Sequence, residues 1–362
     1  MPKKQLFIGV MSGTSLDGVD IALCTIDSSS CKLVHSHEYP FPSDLREDIL
    51  SAIAEPLTLL ALGTLEHKLG TLFGDSINTF LDTFSIKRAD VRAIGLHGQT
   101  LWHQPDGEHP FSMQVGDANI VATKTQIQTI ADFRRMDIAN GGQGAPFAPA
   151  FHQFIFSDLA KNVGVLNIGG MANITLLGEE ILGWDSGCGN VLLDYWMSQT
   201  QFKPYDKDGE FARSGNIDEV LLKVLLDYAY FKKSAPKSTG REYFNALWLE
   251  DKLSSFSHLS EQDVQRTLLE LTTKSIVNDL TDKDISTLIV CGGGAKNLFL
   301  IQRLQELTRC AVKRSDDFGV SSDAIEAMAF AWFAYKRRQG ETVDLCSITG
   351  AKKPSQLGAI YG

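Results

Sequence analysis

The run Gly13-Thr14-Ser15-Leu16-Asp17-Gly18-Val19-Asp20 lies between two short apolar segments, residues 6–11 and 19–26. That pattern predicts strand, tight small-residue turn, strand: the opening hairpin of a sheet. Glycines let the backbone turn sharply and approach a ligand closely. The hydroxyls of Thr14 and Ser15, with successive N–H groups, suit an anion nest, and the Asp17 carboxylate suits a hydrated Mg²⁺. The run is a candidate phosphate hairpin, and a solvated turn of Gly, Ser and Asp has the same composition.

Two more glycine turns follow at strand ends. Residues 163–168, the turn Gly169-Gly170-Met171-Ala172-Asn173 and residues 174–177 repeat the strand–turn–strand plan in the second half of the chain. Residues 287–290 run into Cys291-Gly292-Gly293-Gly294-Ala295-Lys296-Asn297, and residues 298–307 then carry apolar side chains at helical spacing. No G-x-G-x-x-G opens a helix and no Gly-Lys-Ser/Thr loop is present, which excludes the dinucleotide and Walker readings. Two facing phosphate hairpins plus a strand–helix turn for a nucleoside are the plan of the actin-like ATPase and sugar-kinase superfamily. The expected fold is α/β and two-domain, as in hexokinase, heat-shock chaperones and actin, with ATP in the interdomain cleft. Domain I is expected over 1–133 plus the C-terminal segment 345–362, and domain II over 134–344.

Other elements follow from periodicity. Leu62, Leu65, Leu69, Leu72, Phe73, Ile77 and Phe80 form one helical face. Strands are expected over 92–96, ending at His97, and over 111–115, 128–131 and 181–184, the last ending just before Asp185. A helix over 323–338 is expected to close the second domain.

At 362 residues the chain can bury two sizeable cores. Its net charge of −10 argues against nucleic-acid or anionic-membrane partners. The basic start and residues 6–11 are too short for a signal peptide, and no run approaches the ~20 apolar residues of a membrane span. The 6 cysteines include no C-x-x-C pair, which suggests reduced thiols in the cytoplasm. His97, His103 and His109 lack a zinc spacing.

Asp185, preceding Ser186-Gly187-Cys188-Gly189-Asn190, is the candidate catalytic base; its alternative role is a helix cap. Asn190 can cap or bind. Arg134 and Arg135 can grip carboxylate or phosphate, but adjacent side chains diverge, so at most one meets ligand. His97 is a candidate substrate contact. Asp323 and Glu326 fit a helix-capping pair, with a substrate contact by Glu326 as the other reading.

These stretches resemble the anhydro-N-acetylmuramic acid kinase family. The resemblance rests on residues 9–20, Leu96-His97-Gly98-Gln99-Thr100, Ala131-Asp132-Phe133-Arg134-Arg135, Gly141-Gly142-Gln143-Gly144-Ala145-Pro146, residues 166–173, residues 185–190 and residues 321–327, in order along the whole chain. It is weakest over 201–260. It implies a kinase using ATP and Mg²⁺. Water opens the 1,6-anhydro bridge while O6 is phosphorylated, giving N-acetylmuramic acid 6-phosphate in peptidoglycan recycling.

On that basis Asp185 activates water. Gly13, Thr14, Ser15, Leu16, Asp17, Gly18, Val19, Asp20, Gly169, Gly170 and Asn173 cradle phosphates, with Asp17 near Mg²⁺ through water. Gly292, Gly293, Gly294 and Asn297 adjoin the adenosine. His97, Gln99, Arg134, Asn190 and Glu326 face the sugar. The resemblance also implies a homodimer. Another sugar kinase of the same fold, or a non-catalytic actin-like ATP-binding module, is the alternative.

Overall fold

The computed structural model describes all residues except 1–3, 14, 15, 17, 160, 161, 179, 235, 236, 241 and 242. The chain forms two compact units: unit 1 holds Met1–Ser157 and Ala324–Gly362, and unit 2 holds Asp158–Asp323.

Unit 1 is built on a seven-stranded sheet. β1 (Gln5–Ser12), β2 (Gly18–Ile26) and β3 (Cys31–Pro40) form an antiparallel meander. β4 (Val91–Gln104) lies parallel to β1, β5 (Phe111–Val115) pairs with β4, and β6 (Thr129–Ala131) continues parallel to β4. Helices α1 (Ser43–Ala54), α2 (Leu59–Thr83) and α3 (Ala118–Thr125) follow the strands they cross between. The apolar stripe of α2 buries Leu65, Leu69, Phe73, Ile77 and Phe80 with Ile8, Val10 and Ile94 of the sheet. Asp117 ends β5's turn and caps α3 by accepting the Asn119 N–H at 2.8 Å. Two short helices follow, α4 (Phe133–Ala139) and α5 (Ala148–Ile155).

Unit 2 repeats the scheme in a five-stranded sheet. β7 (Val163–Ile168), β8 (Met171–Leu177) and β9 (Leu182–Cys188) form the meander. β10 (Thr287–Cys291) and β11 (Ala311–Arg314) add parallel strands beside β7. The strand orders β3-β2-β1-β4-β6 and β9-β8-β7-β10-β11 are thus the same. Helices α6 (Val191–Gln201), α7 (Glu210–Arg213), α8 (Glu219–Leu226), α9 (Ala246–Leu253), α10 (Glu261–Leu280) and α11 (Leu298–Leu307) complete the unit. α10 is polar in sequence yet buries Gln265, Thr267, Glu270, Thr272 and Thr273. Glu270 is held there by a two-pronged pair with Arg303 at 3.0 and 3.1 Å.

The remaining elements return to unit 1: α12 (Ile325–Gln339), α13 (Cys346–Thr349) and β12 (Ala359–Tyr361), which pairs antiparallel with β6. The division expected at 133/134 and 344/345 therefore lies instead at 157/158 and 323/324. α12, expected to close the second domain, belongs to the first because of two glycines. Gly9 and Gly95 face each other across β1 and β4. A Cβ on Gly9 would stand 1.8 Å from the Ala327 carbonyl oxygen, and one on Gly95 2.0 Å from that of Phe330. Only bare backbone lets the helix lie this close to the sheet.

Candidate active site

In unit 1, Ser12 at the end of β1 donates its hydroxyl to Gln99 Oε1 on β4 at 2.5 Å, and both side chains are buried. The segment 97–100 was expected to end a strand; it lies inside β4, which runs on to pair with β5. His97, also buried, accepts from Arg134 of α4, whose Nε and Nη2 lie 3.2 and 2.9 Å from its Nε2. A guanidinium only donates, so Nε2 is the acceptor and Nδ1 carries the proton. Burial, then the Arg134 charge, pushes His97 down to about 3, so the imidazole is neutral.

Arg134 Nη1 donates to the Gly144 carbonyl at 2.8 Å, which ties α4 to the loop 140–147. Burial lowers Arg134 to about 10, opposed by the nearby charges of Glu326 and Asp137, and it remains a cation at neutral pH. Asp137 holds the same loop: it accepts from the Gly144 N–H at 2.7 Å and the Thr349 hydroxyl at 2.9 Å. Arg135 points the other way, 63% exposed and 3.4 Å from Asp132. The Asp323–Glu326 cap does not form. Ala324 is the N-cap of α12 and makes no side-chain cap bond, while Asp323 pairs with Lys296 at 2.8 Å. Glu326 in the first turn of α12 instead acts electrostatically on Arg134.

Thr14, Ser15 and Asp17 of the first hairpin lie outside the described residues. Leu16 and Val19 bury their side chains in the unit 1 core, so those two can offer a ligand only backbone. The Leu16 carbonyl already accepts from Arg46 Nε at 3.2 Å. Gly18 and Asp20 lie within β2, paired with Pro40 and with Glu38 of β3; Gly13 accepts the Leu16 N–H at 3.4 Å.

In unit 2, Asp185 was expected just past a strand; it lies within β9. Asn167, Asn173 and Asp185 are direct partners on β7, β8 and β9, and direct cross-strand partners present side chains to one face. Ala172 faces Gly187 and Asn173 faces Asp185, so Ser186 is an extra residue, a bulge that re-aims Asp185. The turn itself is only Gly169-Gly170, because Met171–Leu177 is strand. The Gly169 carbonyl accepts from Asn190, and the Gly170 carbonyl from Gly189 and Val191, at 2.9–3.1 Å. Gly189 must be glycine: a Cβ would stand 2.4 Å from the Gly169 carbonyl oxygen. Asn190 Nδ2 donates to the Ile168 carbonyl at 3.4 Å.

Gly292 has φ 79°, and a Cβ there would stand 2.3 Å from Asn167 Oδ1. Gly294 packs as closely on Ile168. Asn297 is the N-cap of α11, accepting the Leu300 N–H at 3.0 Å, so its side-chain oxygen is committed to the helix. By contrast, nothing lies within 4 Å of a Cβ built on Gly170, and only Asn190 Nδ2, at 4.0 Å, near one on Gly293. These two positions leave the backbone open to a ligand. Cys188 is no nucleophile: burial pushes its thiol up to about 12.

A family model described as anhydro-N-acetylmuramic acid kinase matches residues 5–362. The chain belongs to that family.

Curated relatives carry the same name. The anhydro-N-acetylmuramic acid kinase of Sulfurimonas denitrificans is 52% identical and that of Vibrio cholerae 48%, each alignment covering 99% or more of both chains. Among solved structures, component A of (R)-2-hydroxyglutaryl-CoA dehydratase from Acidaminococcus fermentans aligns over 92% of this chain and 99% of its own. At 12% identity and a TM-score of 0.51, that is a likeness of fold. The fold class is the α/β, two-domain actin-like ATPase plan.

Within this family member, four residues around Asp185 were invisible to sequence reading. Thr239 N–H donates to Asp185 Oδ2 at 2.9 Å, and the Lys237 carbonyl accepts the Asp185 N–H at 2.9 Å. Tyr230 donates its hydroxyl to the Asp185 carbonyl at 2.7 Å. Asp279 of α10 joins them through Lys237. Tyr230, Lys237 and Thr239 lie outside the glycine turns, and Asp279 closes a helix with nothing local to tie it to Asp185. Asn167 did carry a signal, as a polar residue inside an apolar strand.

Proposed function

We propose that this chain is an ATP-dependent kinase that hydrolytically opens the 1,6-anhydro ring of 1,6-anhydro-N-acetylmuramic acid and phosphorylates O6. The product is N-acetylmuramic acid 6-phosphate. Full-length membership of the family supports the substrate. The observation that carries the chemistry is Asp185 on its bulge, aligned with Asn173 and held by Thr239.

Asp185 takes a proton from water as the water oxygen bonds to the anomeric carbon. The bond from that carbon to O6 breaks, and O6 leaves with its electron pair. That oxygen attacks the γ-phosphorus and ADP departs. Each anhydro sugar thus consumes one ATP and one water, and one proton is released. The open backbone at Gly170 and Gly293 suits phosphate and nucleoside approach. The cationic Arg134, with neutral His97 and with Gln99 and Glu326, suits a carboxylated sugar.

Mg²⁺ fits as an ion carried by the nucleotide. Among the described residues no group of three or more His, Cys, Asp or Glu could hold a metal ion, and Mg²⁺ bound to phosphates needs only one or two carboxylates. Asp17 is the proposed ligand, and the ion would neutralise charge on the transferring phosphoryl group. No helix among the described residues is long and apolar enough to cross a membrane. A cytoplasmic location is supported by six cysteines that remain thiols. A homodimer rests on the resemblance, and sedimentation equilibrium measures it.

The deciding experiment supplies ATP and Mg²⁺ with either the anhydro sugar or its ring-opened form, in ¹⁸O-labelled water. Product from the anhydro sugar bearing label at the anomeric carbon is expected. Phosphorylation of the open sugar alone would make this another kinase of the same fold, and ATP binding without turnover would make it a binding module.

A further inference from the structure

The segment 237–239 runs beside Asp185 and is fastened twice. At the backbone, the Lys237 carbonyl accepts the Asp185 N–H, and the Thr239 N–H donates to Asp185 Oδ2, each at 2.9 Å. At the side chains, Lys237 Nζ lies 3.0 Å from Asp279 Oδ1, while Asp279 Oδ2 accepts Trp184 Nε1–H at 2.9 Å. Trp184 precedes Asp185 in β9, so Asp279 clamps both the strand and the segment beside it. The Lys237 side chain is 3% exposed and that of Asp279 17%. Lys237 also sits over the Tyr230 ring at 5.3 Å, and the Tyr230 hydroxyl holds the Asp185 carbonyl.

A buried lysine is expensive to desolvate, and burying an ion pair is a poor route to stability alone. Such a pair does fix geometry. The groups it fixes are the two flanking a carboxylate that must stay ionised and aimed at water.

We propose that Lys237 and Asp279 are positioning residues for the base: their ion pair holds the 237–239 segment so that Thr239 keeps its N–H on Asp185. This rests on the reading of Asp185 as the water-activating base. Lys237 meets Asp185 through its backbone carbonyl, and the Lys237–Asp279 side-chain pair acts on Asp185 through the segment and strand it fastens.

The test is the pH profile of kcat in Lys237→Met, with Lys237→Arg as the conservative variant. A carboxylate that loses an N–H donor is harder to ionise, so the acid limb should move to higher pH by about half a unit or more. The kcat plateau should fall about 10-fold or more, as misplacement of a reacting group predicts, with KM for ATP within about twofold. Lys237→Arg should restore the limb. Among the described residues, the other charged or titratable groups around this clamp, Tyr230, Lys233, Asp279 and Lys283, are unchanged in both variants.

A purely structural role would lower the amount of active enzyme and leave the limb where it is; that result overturns the proposal. Should Lys237→Met not fold, the charge-balanced pair Lys237→Met with Asp279→Asn replaces it under the same criteria. An active wild type with an unmoved limb sinks this inference alone. An Asp185→Asn enzyme with full turnover sinks the reading of the base and this inference with it.

Discussion

Asp185 on β9 stands directly opposite Asn173 on β8, immediately before the bulge at Ser186 that shifts which side chains share a face. Without that extra residue Asn173 would face Ser186. The strand pattern alone would have turned the carboxylate away from the polar row that Asn167 begins.

Asp185→Asn is expected to bind ATP and sugar but turn over at least ~10²-fold more slowly, the lower end for loss of a general base. Calorimetric binding beside product release measures both. Near-normal turnover would remove Asp185 from the mechanism.

Arg134→Met removes the donor to His97 and to the Gly144 carbonyl. If Arg134 grips the sugar's carboxylate, KM for the sugar should rise about 10-fold or more while KM for ATP stays near wild type, since a charged hydrogen bond is worth roughly 1.5–3 kcal/mol. Arg135→Met serves as the control, being exposed and paired with Asp132. Equal effects of the two substitutions would count against the assignment.

Two neighbouring glycines, Gly170 in the β7–β8 turn and Gly189 just past β9, should behave oppositely. Gly189→Ala forces a Cβ against the Gly169 carbonyl and should cost about 1–3 kcal/mol in stability. Gly170→Ala meets no protein atom, so its melting temperature should stay put. KM for ATP should nevertheless rise, because a methyl group would stand where a phosphate approaches. An unchanged KM in Gly170→Ala would separate this turn from the nucleotide.

Burial holds His97 and His152 at about 3, against an ordinary value of 6.5. The unfolded chain binds these protons below 6.5 and the folded chain does not. Stability from them is present above that pH and is lost as pH falls from 6.5 toward 3, by up to about 1.4 kcal/mol per pH unit for each histidine. Denaturant midpoints at pH 7 and pH 5 measure the loss. His152→Gln should reduce the slope by one proton; an unaltered slope would mean His152 protonates in the folded state.

Much of the fold could be read along the chain because strands and helices write their period locally. The helical face from Leu62 to Phe80 and the strands at 111–115 and 163–168 are instances. Fine placement failed where tertiary pairing extended a strand. β4 runs on past His97 because β5 folds back on it, and β9 includes Asp185 because β8 lies beside it. The cap expected from Asp323 and Glu326 was a plausible local pattern, but Asp323 instead pairs with Lys296 and Glu326 acts on Arg134.

By itself, the sequence determined the glycine turns and the strand plan and singled out Asp185 as the candidate carboxylate, since each depends on residues close together in the chain. Only the tertiary structure decided that α12 lies on the first sheet and that Arg134 rather than Arg135 turns inward to His97. It alone brought Thr239, Lys237 and Asp279 around Asp185. Those relations join residues tens of positions apart through burial and hydrogen-bond geometry, and neither leaves a period in the sequence.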